Sequence, residues 1–371
     1  MHIVADANLA LLEETFGQHA SISTVPGRDM RAEHVRNADV LLLRSVTRAN
    51  RELLGDSPVK FVGTATIGTD HLDIPFLEDR GICWASAPGC NANAAAQYTL
   101  AMAWLAANRL GKDLRDLSVG IIGRGNVGSR LQNLLDILHI PSVACDPPLA
   151  DAGETGLVKQ AQAFRQPVIS FHVPLTSDGP YPTFHMLNGE TLSSLSDGTM
   201  VVNASRGDVI DGNALLKDIR RQRVAAALDV WPHEPGLDLE LMDSTVVASP
   251  HVAGYSMQGK QNGTLMIYRA FCDWAGIETA TAGRAEQHFQ QLHLDPAADV
   301  IRQVLNASCG VEQDDQTMRQ SLSETGCDVA VAFDQLRKTY RLRNDFGAWE
   351  VSGHSPGQES VLSAMGFRLA N

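Results

Sequence analysis

Several features that would assign this chain of 371 residues to other protein classes are absent from its sequence. Basic residues are in deficit, with 30 Lys and Arg against 43 Asp and Glu, and no long basic stretch occurs. The net charge of −13 argues against general binding to nucleic acid or to an anionic membrane. An acidic protein that binds anionic ligands must hold its positive charges locally, in its site.

Cysteine is also scarce, and the six cysteines form no C-x-x-C pair. We interpret them as reduced thiols of a cytoplasmic protein, most of them in the core. Residues 1–6 indicate the start of a strand and show no signal-peptide pattern. Residues 81–108 carry no charge, but their alanine content and their interruption by Pro88 and Asn91 predict a buried helix instead of a membrane span.

The sequence alternates short apolar runs with polar segments that are compatible with helices, which predicts an α/β fold with parallel strands. The predicted strands of the first domain are residues 3–5, 40–43, 61–63 and 82–85. A long helix is expected over residues 93–110, ending at Gly111. The predicted strands of the second domain are residues 119–122, 143–145, 168–171, 200–204, 225–230 and 246–248, which suit a doubly wound sheet.

These patterns predict two doubly wound parallel-sheet domains, of Rossmann or flavodoxin-like type, and a small α+β C-terminal dimerisation domain. We place a substrate-binding lid domain at residues 1–92 with 255–280, a nucleotide-binding domain at 93–254, and the C-terminal domain at 281–371. A linker is expected at residues 279–284. In the tail, an apolar stripe lies on one helix face, and a homodimer is expected because this segment is too small to be a secure independent domain. The stripe consists of Val329, Ala332, Phe333, Leu336 and Tyr340, and Arg337, Lys338, Arg341 and Arg343 are expected on its solvated side.

A glycine motif carries the clearest functional signal. Gly123, Gly125 and Gly128 form G-x-G-x-x-G between an apolar run and a helix predicted from Ser129 to Leu138. The three glycines suit a tight turn, a close approach of a pyrophosphate to the backbone, and packing of the helix on the strand. The next strand ends at Asp146, where a carboxylate can hold a ribose diol and favours NAD over NADP. We therefore predict a dinucleotide site.

Polar residues follow three later strands, at the sheet edge where open α/β sheets bind ligands. Arg206 suits a carboxylate, His251 can accept a hydroxyl proton, and an acid such as Glu234 can orient a histidine. Each residue has an ordinary alternative: Arg206 in a surface ion pair, Glu234 in a solvated loop and His251 in a hydrogen-bonded loop. Their joint placement after consecutive strands favours a catalytic site.

The sequence resembles the D-specific 2-hydroxyacid dehydrogenases over about residues 1–275. The segments that carry this resemblance are Asn203-Ala-Ser-Arg206-Gly207, Ala227-Leu-Asp229-Val230 with Glu234-Pro235, and Pro250-His251-Val-Ala-Gly254. The first domain is similar to the branch that oxidises 4-phospho-D-erythronate, through Leu43-Arg44-Ser45-Val46-Thr47, residues 61–73 and Ala87-Pro-Gly-Cys-Asn-Ala92. Gly366-Phe-Arg-Leu369 in the tail resembles the dimerisation domain of that branch more loosely.

The resemblance implies an NAD-dependent oxidation at C2, with Arg206 as the substrate anchor, Glu234 as its acidic partner and His251 as the proton acceptor. It implies substrate contacts from Ser45, Thr66 and Tyr255, and cofactor contacts from Asn126, Val127, Asp146, Val173, Asp229 and Gly254. Arg44, with the hydroxyls of Ser45 and Thr47, is the candidate cluster for the distal phosphate. His172 is expected to line the cofactor cleft, and closure of the two domains over the substrate is expected to exclude water.

Two other functions stay open at this point. The chain could be another D-2-hydroxyacid dehydrogenase, of the phosphoglycerate or glyoxylate type, or a non-catalytic scaffold that senses NAD. Retention of Arg206, Glu234 and His251 together disfavours the scaffold, because a pure binder has no need of a proton shuttle. We expect Glu234→Gln to cost less activity than His251→Ala, because an amide keeps the hydrogen bond and loses only the charge.

Overall fold

The computed structural model of the chain describes residues 1–279, 289–324 and 326–370. The predicted linker at 279–284 lies outside these residues from position 280 onward. The chain divides into two compact units, Met1–Asn91 with Ser256–His288, and Ala92–Tyr255 with Phe289–Asn371. Among the described residues, no helix combines the length and the hydropathy needed to cross a bilayer.

Every strand pairing within the described sheets is parallel. The strands are β1 (His2–Asp6), β2 (Ser21–Val25), β3 (Val40–Leu43), β4 (Phe61–Thr64), β5 (Cys83–Ala85), β6 (Val119–Ile122), β7 (Ser142–Cys145), β8 (Val168–Phe171), β9 (Thr199–Asn203), β10 (Val224–Leu228), β11 (Val247–Ala248), β12 (Gln290–His293), β13 (Trp349–Ser352) and β14 (Arg368–Leu369).

Helices connect these parallel strands, as crossover connections require. They are α1 (Leu12–Phe16), α2 (Ala32–Val35), α3 (Arg51–Leu54), α4 (Ile74–Asp79), α5 (Ala92–Arg109), α6 (Asn126–Ile137), α7 (Pro147–Asp151), α8 (Gln160–Ala163), α9 (Gly189–Ser193), α10 (Gly212–Arg220), α11 (Leu239–Ser244), α12 (Met257–Ala275), α13 (Val300–Cys309), α14 (Val311–Leu322), α15 (Val329–Lys338) and α16 (Glu359–Met365).

The first unit is built on a sheet with the strand order β2-β1-β3-β4-β5. This is the flavodoxin-like order of a doubly wound sheet. The central strand β3 is buried along its whole length, which agrees with its continuous apolar sequence. Helix α12 begins at the N-cap Ser256, whose side chain accepts from the amide of Gly259, and it buries Phe271 against this sheet.

The second unit contains a sheet with the order β11-β10-β9-β8-β6-β7. An isolated parallel bridge pairs Ala144 of β7 with Leu157, so the chain continues past β7 as a further, very short strand. With β6 counted as strand 1 and the bridge as strand 3, the order is 3-2-1-4-5-6-7. Its first six positions follow the order of a dinucleotide-binding fold, and β11 is the seventh. The switch point lies between β6 and β8, and helix α5 is buried along most of its length.

The C-terminal segment packs within this second unit and adds the sheet β12-β13-β14. Val304 and Leu305 of α13 share a core cluster with Leu100 of α5. Polar contacts reinforce the packing: Asp315 accepts from the amide of Ala248 at 2.8 Å and pairs with Arg109 at 2.6 Å. The predicted α/β class, with two doubly wound sheets and a small C-terminal α+β part, is confirmed. The predicted division into three domains stays a prediction.

The apolar stripe of the tail lies inside the unit. Phe333 is fully buried in a core cluster that also contains residues of the six-stranded sheet of the second unit, and Val329 and Leu336 pack against the same cluster. The stripe therefore packs largely within the chain, and the homodimer stays a prediction.

The expectation that Arg343 is solvated is wrong. Arg343 is only 4% exposed, and its guanidinium donates to the carbonyl oxygens of Val252, Tyr255 and Ala94. A short run of basic residues next to an apolar helix face is typical of a solvated border, so the sequence pattern hides this buried anchoring role.

Candidate active site

Two positions of the turn between β6 and α6 accept no residue other than glycine. Gly123 has φ +93°, and a Cβ there would lie 2.7 Å from the carbonyl oxygen of His172. A Cβ at Gly128 would collide with the carbonyl oxygen of Gly123. Gly125 is the N-cap of α6, and a Cβ there would meet open space, where a pyrophosphate can approach the backbone.

Helix α6 begins at Asn126, three residues earlier than predicted, so Asn126 and Val127 form its first turn. The N–H groups of a first turn have no partner inside the helix and point toward the turn. Gly125 and Asn126 are exposed and Val127 is half-buried. These residues fit the phosphate contacts that were predicted for them, which stay a prediction.

Asp146 follows β7 directly and organises the turn. One carboxylate oxygen accepts from the amide of Arg124 at 2.7 Å, and the other accepts from the amide of Leu149 as the N-cap of α7. The Arg124 side chain is held by Gln132 and Glu154, at 2.7 Å and 2.9 Å. Asp146 is therefore fixed beside the glycine turn, and its contact with a ribose stays a prediction.

His172 and Val173 follow β8, across the switch point from the glycine turn. A Cβ at Gly123 would lie 2.9 Å from the Val173 side chain, so the two loops are in contact. Nε2 of His172 lies 2.8 Å from the hydroxyl of Ser170. Burial lowers the pKa of His172 to about 4, so the ring is neutral near physiological pH. A neutral, half-buried ring supports the predicted lining role of His172 and argues against a second general base.

Arg206 lies in a turn that Asn203 holds in place at the end of β9. The Asn203 side chain donates to the carbonyl oxygen of Arg206 at 2.9 Å and accepts from the Ser205 amide at 3.0 Å. The next residue, Gly207, packs against the backbone of Trp231 so closely that no Cβ fits there. The position of Arg206 is therefore set by a rigid turn next to the end of β10.

Asp229, at the end of β10, is fully buried and orders the following loop. Its carboxylate accepts from the Ser249 hydroxyl at 2.6 Å and from the amides of Val252 and Ala253 at 2.9 Å and 3.0 Å. Its carbonyl oxygen accepts from the His251 amide at 2.7 Å. Asp229 thus fixes the loop that carries His251 and Gly254, a role that its sequence position alone did not indicate. Its predicted place near the nicotinamide stays a prediction.

His251 and Glu234 are in direct contact. Nδ1 of His251 lies 2.7 Å from one carboxylate oxygen of Glu234, and the other oxygen accepts from the Trp231 amide at 2.7 Å. Burial opposes ionisation of Glu234, but the charge of His251, the two hydrogen bonds and the charge of Arg337 outweigh it, so the pKa of Glu234 is lowered. Glu234 is therefore a carboxylate at neutral pH, and the predicted pair is present in the structure.

The predicted substrate contacts divide between the two units. In the second unit, Tyr255 follows Gly254 at the end of the loop that carries His251, which we call the catalytic loop. Its ring packs edge-on against that of Tyr340, with ring centroids 5.9 Å apart. In the first unit, Ser45 is exposed just after β3. Thr66 follows β4, and its hydroxyl lies 2.7 Å from that of Thr64.

Arg44 in the first unit forms an ion pair with a buried carboxylate. Its Nε donates to Asp6 at 3.0 Å and one terminal nitrogen donates at 3.3 Å, and Asp6 is fully buried. Thr47 is 4% exposed and donates to the carbonyl oxygen of Gly27 at 2.8 Å, so it stabilises the loop instead of exposing a hydroxyl. Lys260 was not predicted: burial and the charge of Arg44 lower its pKa, which places a second cation near Arg44.

Comparison with known proteins agrees with this geometry. Residues 90–253 match the family model described as the NAD binding domain of D-isomer specific 2-hydroxyacid dehydrogenases, and residues 286–366 match a domain of unknown function (DUF3410). The fold is similar to the NAD⁺-bound 3-phosphoglycerate dehydrogenase of Entamoeba histolytica, with a TM-score of 0.65 and 22% identity over 78% of this chain and 99% of that one. It is also similar to the D-lactate dehydrogenase of Aquifex aeolicus, with a TM-score of 0.62 and 21% identity over 74% and 96% of the two chains.

Fold and site together define an NAD-dependent dehydrogenase of the D-isomer specific 2-hydroxyacid class. The similarity to two proteins named erythronate-4-phosphate dehydrogenase extends over the whole chain. The protein of Marinobacter nauticus is 40% identical over 100% of both chains, and that of Pseudomonas entomophila is 42% identical over 100% of this chain and 99% of its own. The chain belongs to the erythronate-4-phosphate dehydrogenase family.

Proposed function

We propose that the chain oxidises 4-phospho-D-erythronate at C2 to 2-oxo-3-hydroxy-4-phosphobutanoate, in the biosynthesis of pyridoxal 5′-phosphate. Relatives that carry the erythronate-4-phosphate dehydrogenase name match the full length of the chain, including its C-terminal segment. NAD⁺, when bound, supplies the hydride acceptor. The glycine turn, Asn126, Val127, Asp146 and Val173 would hold it.

The contact between His251 and Glu234 is the observation that carries this proposal. A carboxylate at Nδ1 makes that nitrogen the N–H donor of a neutral ring, so Nε2 keeps a free lone pair. Nε2 can then accept the C2 hydroxyl proton as the hydride leaves the same carbon, and Glu234 stabilises the imidazolium that forms. Because the pKa of Glu234 is lowered, this arrangement persists at neutral pH.

Arg206 is assigned to the substrate carboxylate. The planar guanidinium fork matches a carboxylate with two parallel hydrogen bonds, and beside C2 it also polarises the oxygen that becomes a carbonyl. The turn built by Asn203 holds its backbone, which reduces the freedom that the side chain loses on binding.

Arg44 and Ser45 are assigned to the distal phosphate. A guanidinium has five N–H donors, and the contacts with Asp6 use only two of its nitrogens. The buried Asp6 therefore orients Arg44 while donors remain for an anion. Lys260 adds positive charge to the same region, which favours a phosphate over a neutral hydroxymethyl group.

Cytoplasmic localisation and a homodimeric state belong to the same proposal. The homodimer follows from the resemblance of the tail, and sedimentation of the full chain should give twice the monomer mass.

A substrate panel tests the proposed reaction. Purified chain with NAD⁺ should form NADH with 4-phospho-D-erythronate, and kcat/KM should fall steeply with D-erythronate, which lacks only the phosphate. Comparable rates with 3-phosphoglycerate would assign the chain to the phosphoglycerate type. Reduction of glyoxylate with NADPH or NADH would assign it to the glyoxylate type. Binding of NAD⁺ without turnover of any of these acids would assign it to the scaffold class.

A further inference from the structure

The C-terminal segment reaches the catalytic loop through Arg337 of α15. One terminal nitrogen of Arg337 donates to the hydroxyl of Tyr255 at 3.4 Å. Its guanidinium lies 6.0 Å from the ring centre of Tyr255 and 6.0 Å from that of Phe333, within cation–π distance of both rings. The next residue along the helix, Lys338, is exposed. Arg337 is thus directed toward the loop and is not one of the solvated cations of this helix.

The same segment also fixes the backbone of the catalytic loop. The guanidinium of Arg343 donates to the carbonyl oxygens of Val252 and Tyr255, at 2.9 Å and 2.7 Å, and to that of Ala253. It lies 4.7 Å from the ring centre of Tyr98. With the backbone of Tyr255 held in this way, the contact between Arg337 and the Tyr255 hydroxyl has a defined geometry.

Electrostatics connect Arg337 with the proton-accepting pair. The charged or donating groups that act on Glu234 are His251 from the catalytic loop, the Trp231 amide from its own loop, and Arg337 from α15. All of them favour the carboxylate and oppose the burial that disfavours it. Within the described part of the chain, Nε of Arg337 is buried and has no hydrogen-bond partner. A buried guanidinium N–H without a partner is stabilised mainly by the acceptors and the negative charge close to it.

We propose that Arg337 is a positioning residue of the active site, through which the C-terminal segment orients the Tyr255 hydroxyl toward the substrate and contributes positive charge beside Glu234 and His251. A tyrosine hydroxyl has a single proton to donate, and Arg337 occupies its oxygen as an acceptor. The Tyr255 proton is therefore left for an oxygen of the substrate, which is an acid with two anionic groups. This inference rests on the proposed function, and it gives the domain of unknown function a part in substrate binding.

Four single variants, Tyr255→Phe among them, and one double variant test the role of Arg337. Arg337→Met removes the donor and the charge, Arg337→Lys keeps the charge but not the planar donor, and Lys338→Met is the matched control on the same helix. KM for 4-phospho-D-erythronate should rise about tenfold in Arg337→Met, the usual effect of losing a hydrogen bond to a charged group, while KM for NAD⁺ stays unchanged. In a Tyr255→Phe background the same substitution should have almost no further effect on KM.

The pH profile distinguishes positioning from a merely structural role. Removing a positive charge near His251 favours the imidazolium, so the rise of kcat with pH should move to higher pH in Arg337→Met. Arg337→Lys should raise KM and leave that rise where the wild-type rise lies. If Arg337→Met does not fold, the KM and the pH profile of Arg337→Lys decide the question.

The outcomes separate this inference from the proposed function. If wild-type chain does not oxidise 4-phospho-D-erythronate, the proposed function fails and this inference fails with it. If wild type is active and both Arg337 variants match Lys338→Met in KM and in pH profile, only the role of Arg337 is refuted. Equal effects of Arg337→Met on KM in the wild-type and the Tyr255→Phe backgrounds would also refute it, since Tyr255 would then not be the link.

Discussion

Glu234→Gln should be far more damaging than loss of one charge implies, because the structure gives both oxygens of Glu234 a partner. One oxygen accepts from the Trp231 amide and the other contacts Nδ1 of His251, each at 2.7 Å. An amide has one acceptor oxygen and one donor nitrogen, so it cannot accept at both sides. The variant therefore loses a hydrogen bond as well as the charge, contrary to the expectation from the sequence.

The two orientations of the glutamine amide differ in free energy. If its oxygen faces His251, its NH₂ group faces the Trp231 N–H, and a buried donor left unsatisfied costs about 1–3 kcal/mol. The opposite orientation satisfies Trp231 but presents NH₂ to Nδ1, which moves the ring proton to Nε2. That tautomer cannot accept the substrate proton. The unproductive orientation, with NH₂ facing Nδ1, is therefore favoured roughly 5- to 150-fold over the productive one. The kcat should fall by at least that factor, and by more because the imidazolium loses its stabilising charge.

Two measurements test this reasoning. The kcat for NADH formation by Glu234→Gln should fall as stated, and its rise with pH should move to lower pH because the imidazolium is no longer stabilised by a carboxylate. Nitrogen NMR of the His251 ring should show the proton on Nδ1 in wild type and on Nε2 in the variant. A variant with near-wild-type kcat and the proton still on Nδ1 would refute the tautomer argument.

Four further predictions follow from the same geometry. His251→Ala should lower kcat by roughly 10²–10⁴, as expected for a positioned acid–base group, while calorimetry shows NAD⁺ binding nearly unchanged. Arg206→Lys should lower kcat/KM severely despite the retained charge, because an ammonium lacks the planar fork; near-normal values would remove the carboxylate assignment. Asp146→Ala should narrow the preference for NAD over NADP and cost about 1 kcal/mol of stability as a lost N-cap; efficient use of NADP by wild type would contradict it. His172 has a pKa of about 4 against an ordinary 6.5, so its contribution to stability is present above pH 6.5 and is lost as pH falls toward 4. In urea unfolding, the free energy of unfolding of His172→Gln should depend less on pH over that range. An unchanged pH dependence would contradict the lowered pKa of the ring.

Most of the sheet architecture could be predicted because parallel strands buried on both faces are continuous apolar runs. Strand β3 has the predicted bounds, 40–43, and β8 has the predicted bounds, 168–171. The edge strand β2 was missed, because Ser21-Ile-Ser-Thr-Val25 is short, polar and largely exposed. A strand at a sheet edge needs no apolar run, so the hydrophobic pattern does not reveal it.

The site could be predicted where a residue type implies chemistry at a strand end, as for His251 and Glu234. The supporting contacts could not, because they join residues far apart in sequence. Nothing in the local pattern around Asp229 indicates that its carboxylate accepts three hydrogen bonds from residues 249–253. Arg337 and Arg343 are likewise part of a basic stretch that is indistinguishable in sequence from a solvated surface, and only the tertiary packing shows their contacts.

The central claim is that C2 of 4-phospho-D-erythronate loses a hydride while His251 takes the hydroxyl proton. Turnover of substrate deuterated at C2 tests it most directly. The deuterium should appear in the reduced nicotinamide, with the 2-oxo acid as the product, and His251→Ala should slow this transfer without preventing NAD⁺ binding. Formation of NADH without deuterium, or retention of deuterium in an unoxidised acid, would contradict the account.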